Sequence, residues 1–150
     1  MTAGQAEGWA CRPSHCRWGL KVVMKQEEIK ASINRYMDAY NSFDIEAMIE
    51  MVAPDIQFEN VSGGEVNART SGKAEFEVLA KQSVRLFSHR KQTVKTIRIE
   101  RDRAFVEIEF EGILAEDLPS GLKAGAKIAL KGTSTFVFTN GFISSLVDRS

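Results

Sequence analysis

The chain has 150 residues, of which 43% are apolar and 27% charged, and its 20 basic and 20 acidic side chains cancel. This composition predicts one globular domain with a single core and argues against disorder. A nucleic-acid partner requires clustered cations, and the densest basic patch, His89-Arg90-Lys91, is interpreted as a solvated helix end. No apolar run approaches the roughly 20 residues of a membrane-spanning helix, so we expect neither a nucleic-acid nor a membrane partner.

Residues 1–23 differ from the rest, because they hold both cysteines and both tryptophans and show neither helical nor strand periodicity. Cys11, His15 and Cys16 could form a metal clip, but three unpaired candidates fall short of zinc-module spacing. We therefore predict a poorly ordered extension here and one domain over 24–150. The polar residues of the extension leave no room for a secretory h-region, so we expect a cytoplasmic protein.

Two helices are predicted next. Over 26–42, apolar residues recur at the three- and four-residue spacing of one helical face, namely Ile29, Ile33, Tyr36, Met37 and Tyr40. A shorter helix reaches from Ile45 to Val52, with Asp44 placed to cap it. Pro54 cannot continue that helix, so a turn of the chain is predicted there.

The connector 54–76 begins with a strand, since the period changes to two. Ile56, Phe58 and Asn60 share one face, and Gln57 and Glu59 the other. Gly63-Gly64 predicts a turn, and Thr70 or Ser71 is placed to cap a third helix over about 73–87. We expect this connector to line one wall of a pocket.

Four strand-like segments follow, at about 92–100, 103–113, 126–139 and 142–148. Arg101-Asp102 predicts a tight connection between the first two, and Asn140-Gly141 a type I′ hairpin between the last two. Helices followed by such a meander predict an α+β domain in which helices pack on one face of a curved, mixed or antiparallel sheet.

Four segments resemble the nuclear transport factor 2-like superfamily, the cone-shaped, cystatin-like fold of SnoaL-type polyketide cyclases and ketosteroid isomerases. They are RYMDAYNSFDIEAM (35–48), PDIQFENVSGG (54–64), TSGKAEF (70–76) and FVFTNGFISSLVD (136–148). The resemblance spans about 25–149 and implies a deep apolar cone and a homodimer formed through the sheet. The fold hosts enzymes, binding modules and assembly domains alike, so it does not fix the function.

The ketosteroid isomerase pattern combines an aspartate base with a tyrosine and a protonated aspartate at the oxyanion hole. The resemblance places Tyr36 at the tyrosine, Asn60 at the base and Ser134 at the protonated acid. An amide cannot take a proton from carbon, so Asn60 cannot be the base. We therefore expect a relative that does not use the ketosteroid isomerase mechanism.

The predicted pocket wall carries neutral polar groups among aromatic rings. Its residues are Tyr36, Tyr40, Phe58, Asn60, Ser134 and Phe136. Neutral donors in an apolar pocket suit a small apolar or neutral polar ligand. The alternative is that these groups satisfy one another or buried water. Phenylalanines 58, 76, 87, 110, 136 and 138 fall on predicted inward faces, which agrees with a cone and equally with plain core packing.

Other candidate bases are less favourable. Glu59 has the outward strand parity, His89 ends a predicted helix beside two cations, and Asp148 near the chain end is interpreted as a solvated carboxylate. His89 is the single histidine in 24–150, and no phosphate-loop glycine spacing occurs. We expect no metal and no cofactor.

Two hypotheses follow from these observations. The first is a small-molecule-binding protein, with a cofactor-free isomerase, cyclase or hydratase of unknown substrate as its enzymatic form. The alternative is a non-catalytic dimerisation or protein-interaction module that acts through the outer sheet face and the 115–125 loop. That alternative predicts an exposed apolar patch.

Overall fold

Three helices pack on a six-stranded sheet in a computed structural model that describes residues 23–150. The helices are α1 Gln26–Asn41, α2 Ile45–Glu50 and α3 Lys73–Leu86. The strands are β1 Val52–Ser62, β2 Glu65–Ser71, β3 Phe87–Glu100, β4 Arg103–Leu114, β5 Lys127–Thr139 and β6 Phe142–Arg149. The predictions for the extension 1–23, including the metal clip, lie outside the described residues apart from Val23. No helix in the described part of the chain is long and apolar enough to cross a membrane.

The strands lie in the order β2-β1-β6-β5-β4-β3. β1 and β6 pair in parallel, and the other neighbours pair antiparallel. The sheet is therefore mixed, and the predicted α+β class is confirmed. Because the first and last strands are neighbours, residues far apart in sequence meet at the centre of the sheet.

The two N-terminal helices form as the sequence predicts. α1 buries Ile29, Ile33 and Met37 against the sheet, and the Glu28 carboxylate accepts a hydrogen bond from the Lys25 main-chain N–H at its start. The Asp44 carboxylate accepts a 3.1 Å hydrogen bond from the Ala47 N–H and so caps α2. These contacts fix both helices over one face of the sheet.

The second helix ends earlier than predicted. α2 stops at Glu50, and Val52 begins β1. Pro54, expected at a turn, lies inside β1 where the pairing with β6 is interrupted between Val52 and Gln57. Proline is tolerated there because that stretch needs no ladder hydrogen bond from its nitrogen.

The stretch 65–71 is a strand, which the sequence did not predict. β2 pairs antiparallel with β1 after the predicted Gly63-Gly64 turn, whose φ angles are +60° and +82°. Its side chains are mostly exposed, so it lacks the apolar alternation of a half-buried strand. The predicted cap at Thr70 or Ser71 is wrong, because Gly72 takes the N-cap position with φ +91°.

The third helix also ends earlier than predicted. α3 stops at Leu86, and Phe87 begins β3, which pairs with β4 from its first residue. The interpretation of His89-Arg90-Lys91 as a solvated helix end is therefore wrong: these residues lie in β3, and Arg90 is only 2% exposed. Gly112 makes room for this pairing, since a Cβ there would lie 2.9 Å from the Phe87 ring.

Candidate functional site

A cavity of about 430 Å³ lies between the helices and the sheet. Its wall is largely apolar. Five of the six phenylalanines predicted to point inward line it, namely residues 58, 76, 87, 110 and 136. Edge-on ring pairs, Phe58 with Phe76 at 5.6 Å and Phe87 with Phe110 at 5.5 Å, form its sides without filling it. Phe138 instead packs in the core against Phe136.

The structure brings the six predicted site residues to this one cavity. Tyr36 and Tyr40 reach it from α1, Phe58 and Asn60 from β1, and Ser134 and Phe136 from β5. The polar residues among these six differ in burial and in their hydrogen-bond partners.

A carboxyl group lies between two of the predicted polar residues. Asp148 on β6 is the register partner of Asn60 on β1 and of Ser134 on β5. We call these three residues the acid row. The row places a carboxylate one strand away from the position where the resemblance to ketosteroid isomerases expects a base.

A bulge in the last hairpin turns Asp148 inward. The turn at Asn140-Gly141 pairs Phe138 with Ile143, but Val137 pairs with Ser145, so Ser144 is an extra residue. If Ser144 were instead paired with Val137 in a regular ladder, Val147 would lie opposite Ser134, and Asp148 would lie on the outer face. The interpretation of Asp148 as a solvated carboxylate rested on its position near the chain end and is wrong, because the carboxyl lines the cavity and is hydrogen-bonded to Ser134.

The environment of Asp148 makes its carboxyl a weaker acid than an ordinary aspartate. Burial raises the pKa of its carboxyl to about 6, against a 2.6 Å hydrogen bond from the Ser134 hydroxyl that lowers it. A carboxyl with this pKa exchanges its proton readily near neutral pH. Asp148 therefore has the protonation behaviour of a general acid or base.

Tyr36 lies close to this carboxyl and remains a proton donor. Its ring is 4% exposed and packs edge-on against Phe136 at 5.7 Å. Burial, and next the negative charge of Asp148, raise the pKa of the Tyr36 phenol well above its ordinary value. The phenol thus stays protonated and can donate to an oxygen in the cavity.

The side chain of Asn60 is hydrogen-bonded to a residue on β2. Its side-chain amide donates a 2.7 Å hydrogen bond to the Asn67 carbonyl oxygen, and Asn67 also lines the cavity. Asn60 and Ser134 are thus hydrogen-bonded to Asn67 and Asp148 and not to each other. Asp148 remains as the titratable group of the acid row.

A second charged residue, Arg90, lines the cavity from β3. Its Nε donates to the Tyr40 main-chain oxygen at 3.0 Å, and its Nη1 donates to the Ser83 hydroxyl at 3.1 Å. The guanidinium stacks 3.7 Å above the Tyr40 ring and 4.8 Å from the Phe43 ring. Burial lowers the pKa of Arg90, but guanidinium is so strongly basic that it stays charged.

The expectation of a neutral pocket wall is therefore wrong, because both Asp148 and Arg90 line the cavity. Sequence reasoning missed Arg90 by extending the third helix through Phe87. A strand that began at Phe87 would have given Arg90 and Gln92 a common parity. Both are in fact buried.

The remaining candidates lie away from the cavity. The Glu59 carboxylate forms a 2.9 Å ion pair with Arg69, consistent with its predicted outward parity. His89 lies on β3 with its ring 4.0 Å from the Glu111 carboxylate. Within residues 23–150, no three metal-ligating side chains form a group that could hold a metal ion.

Comparison with known families gives one match. The family described as the SnoaL-like domain matches residues 33–146, which include the larger part of α1, the first five strands, and Asn60 and Ser134 of the acid row. Asp148 lies two residues beyond the match. A search of curated proteins finds no match.

Several solved structures share the fold. TsrD from Streptomyces laurentii superimposes with a TM-score of 0.70 at 14% identity, covering 83% of this chain and 89% of that one. A candidate SnoaL-like polyketide cyclase from Jannaschia sp. CCS1 gives 0.70 at 12% identity, covering 90% of each chain. An LEH-like epoxide hydrolase from M. tuberculosis gives 0.67 at 15% identity, covering 82% of each. At these identities the likeness shows the fold alone.

Proposed function

The chain belongs to the SnoaL-like domain family, and on that premise we propose that it binds a small apolar molecule and catalyses a cofactor-free proton transfer on it. The reaction belongs to the isomerase, cyclase or hydratase classes. Asp148 is the acid–base group and Tyr36 the hydrogen-bond donor. The names of two structural relatives, a candidate polyketide cyclase and an epoxide hydrolase, support a reaction of this kind.

The observation that carries this proposal is the environment of Asp148. It is a carboxyl in the wall of an aromatic cavity, with a pKa of about 6 and a single short hydrogen bond from Ser134. Carboxyl groups with raised pKa values in clefts are candidates for catalysis because they can both accept and return a proton at neutral pH.

The proposed step is a reversible enolisation. The Asp148 carboxylate takes the proton from a carbon next to a ligand carbonyl, and the C–H electron pair moves into the new C=C bond of an enolate. The Tyr36 O–H donates a hydrogen bond to the developing oxyanion. In an isomerisation, protonated Asp148 then returns the proton to a different carbon. In a ring closure, the enolate carbon instead attacks a second carbonyl of the ligand, and Asp148 returns the proton to the oxygen of that carbonyl; neither reaction needs a cofactor.

This mechanism differs from that of ketosteroid isomerase. The base position expected from the resemblance holds Asn60, and the oxyanion acid position holds Ser134, whose hydroxyl donates to Asp148 instead. In the proposed mechanism the Asp148 carboxyl is the one acidic group, whereas the ketosteroid isomerase pattern has two, a base and an oxyanion-hole acid. We propose that substrates of ketosteroid isomerase are not the natural ligands.

We further propose a cytoplasmic homodimer formed through the outer face of the sheet, as the resemblance implies. The alternative function, an interaction module, requires a shared apolar docking face. The large apolar side chains that are exposed in residues 23–150 lie on separate elements, namely Val23 before α1, Val66 on β2, Val78 on α3, Leu122 in the loop after β4, Leu130 on β5 and Phe142 on β6. This distribution favours the enzymatic proposal.

Proton exchange of 2-tetralone in D₂O, followed by ¹H NMR, tests the proposal directly. The wild-type protein should accelerate exchange of the α-protons, and Asp148→Asn should reduce that acceleration by about 10²- to 10⁴-fold. Asp55→Asn, which alters an exposed carboxylate on β1, is the matched control and should leave the rate unchanged. A wild-type rate no greater than that of Asp148→Asn would contradict the proposal.

A further inference from the structure

Arg90 is a buried cation with an unused donor group. The residue is 2% exposed, and its Nη2 atom has no hydrogen-bond partner among residues 23–150. Nε donates to the Tyr40 main-chain oxygen, and Nη1 donates to the Ser83 hydroxyl. Both N–H groups of Nη2 are therefore unsatisfied within this part of the chain.

The charge of Arg90 is also uncompensated. Within the part of the chain that the structure describes, no carboxylate lies within ion-pair distance of its guanidinium. The groups that offset the charge are all neutral, namely the Tyr40 main-chain oxygen, the Ser83 hydroxyl and the faces of the Tyr40 and Phe43 rings. An unpaired buried cation is costly, and a buried donor without a partner adds to that cost.

One of the two rings around Arg90 is held by an unfavourable backbone conformation. Phe43 lies in the short connection between α1 and α2 with φ +60°, a left-handed conformation that bulky side chains seldom adopt. This conformation sets its ring beside the guanidinium. Tyr40 supplies both a ring face and the main-chain oxygen. The guanidinium is thus fixed in orientation, as recognition of a planar anion requires.

We propose that the cavity selects small apolar molecules that carry a carboxylate, which pairs with the free Nη2 of Arg90 while the apolar body lies along the phenylalanines. The proposal rests on the proposed small-molecule function and defines its substrate class. It replaces the expectation of a neutral ligand, which assumed an uncharged wall. Because Nη2 is covered in the free protein, we expect a small side-chain rotation on binding.

The other charged and titratable groups on the cavity wall set a pH dependence. They are Asp148, Tyr36, Tyr40 and Arg149. The two phenols stay neutral, because burial raises their pKa values. Asp148 gains a negative charge as the pH rises through about 6. An anionic ligand should therefore bind more tightly below that pH than above it.

The test uses 2-naphthoate and its neutral analogue 2-naphthamide, which have nearly the same size and shape. Dissociation constants are measured by calorimetry at about pH 5.5 and about pH 8, where naphthoate is ionised. For the wild-type protein, naphthoate should bind about tenfold more tightly than naphthamide at the lower pH, with a smaller preference at the higher pH.

Variants assign the preference to one residue. Arg90→Gln should bind both probes equally, whereas Lys91→Gln, which removes an exposed cation of the same strand outside the cavity wall, should keep the preference. In wild-type protein, the Arg90 Nε–H resonance should shift with naphthoate and not with naphthamide. This second measurement decides the question if Arg90→Gln fails to fold.

The outcomes separate this inference from the function on which it rests. Equal binding of the two probes by wild-type protein, or a preference retained in Arg90→Gln, would overturn the carboxylate proposal while leaving the cavity as a binding site. Failure of both probes to bind would overturn it together with the proposed ligand-binding function.

Discussion

The two charged parts of the cavity wall, the acid row and Arg90, differ in the contacts that position them. They also differ in whether their hydrogen-bonding groups have partners. The Asp148 carboxyl is placed by strand pairing on both sides, and it has a donor in Ser134. The Arg90 guanidinium lies just after the junction of α3 and β3, caged by Tyr40 and Phe43, with one nitrogen unpartnered.

This difference indicates that Asp148 and Arg90 have separate roles. Asp148 changes its charge near neutral pH, so it suits proton transfer. Arg90 keeps its charge at every working pH, so it suits holding an anion in place. Changes to the sheet register should therefore affect the acid row and spare Arg90.

The largest expected effect comes from inserting one alanine between Ser145 and Leu146. The insertion shifts the side-chain alternation of β6 by one residue, so Leu146 and Asp148 would turn to the outer face while Val147 turned inward. Leu146 is 1% exposed, and losing its burial together with the register should cost about 4 kcal/mol or more of unfolding free energy. Urea unfolding measures this cost.

Ser144→Ala is the matched control, since it keeps the residue count and loses only hydrogen bonds of the hydroxyl to Val137 and Thr139. It should cost about 1 kcal/mol. An insertion variant as stable as this control would show that the register of β6 does not place Asp148.

Gly132→Ala should disturb the same end of the cavity nearly as much. A Cβ at Gly132 would lie 2.3 Å from the main-chain oxygen of Arg149, next to Asp148. Main-chain atoms of a paired strand cannot move aside cheaply, so we expect a loss of about 3 kcal/mol in urea unfolding. Thr133→Ala, at an exposed position on the same strand, should have little effect; equal losses in both variants would remove the register explanation.

Asp148→Asn should stabilise the protein in a pH-dependent way. The folded-state pKa of about 6 exceeds the ordinary value of 3.8, so the folded state binds more protons and wild-type stability falls as the pH rises through this interval. The variant lacks that penalty. Its advantage should be near zero below about pH 4 and at most about 3 kcal/mol at neutral pH. A pH-independent difference between the two unfolding curves would argue against a buried acid.

Ser134→Ala should give the smallest effect. The Ser134 hydroxyl donates to the Asp148 carboxylate and so favours its charged form. Its removal should raise the pKa of Asp148 above about 6 by roughly one unit. Ser145→Ala, on the other face of β6, is the control for an NMR titration, and an unchanged pKa in Ser134→Ala would exclude the hydrogen bond.

The sequence predicts the parts of this fold that depend on local periodicity. The apolar face of α1, the Asp44 cap and the turns at Gly63-Gly64 and Asn140-Gly141 all follow from residue types at fixed spacings. Tyr36 and Ser134 were placed on inward faces by the same reasoning, aided by the resemblance.

The parts that escaped prediction depend on non-local pairing. A one-residue bulge at Ser144 leaves no compositional signal, yet it decides which face Asp148 occupies. The polar strand β2 is held by β1 and not by an apolar face of its own. The sequence spacing predicts a helix through Phe87, but pairing with β4 makes Phe87 the first residue of strand β3. Arg90 is buried because it lies in this strand.

Direct titration of the Asp148 carboxyl tests the central claim most directly. With ¹³C-labelled aspartate, the side-chain carboxyl resonance of Asp148, assigned with Asp148→Asn, is followed by NMR from about pH 3 to about pH 9. We expect a midpoint of about 6. A midpoint near 3.8, the ordinary value for an aspartate, would contradict the assignment of Asp148 as the acid–base group of the cavity.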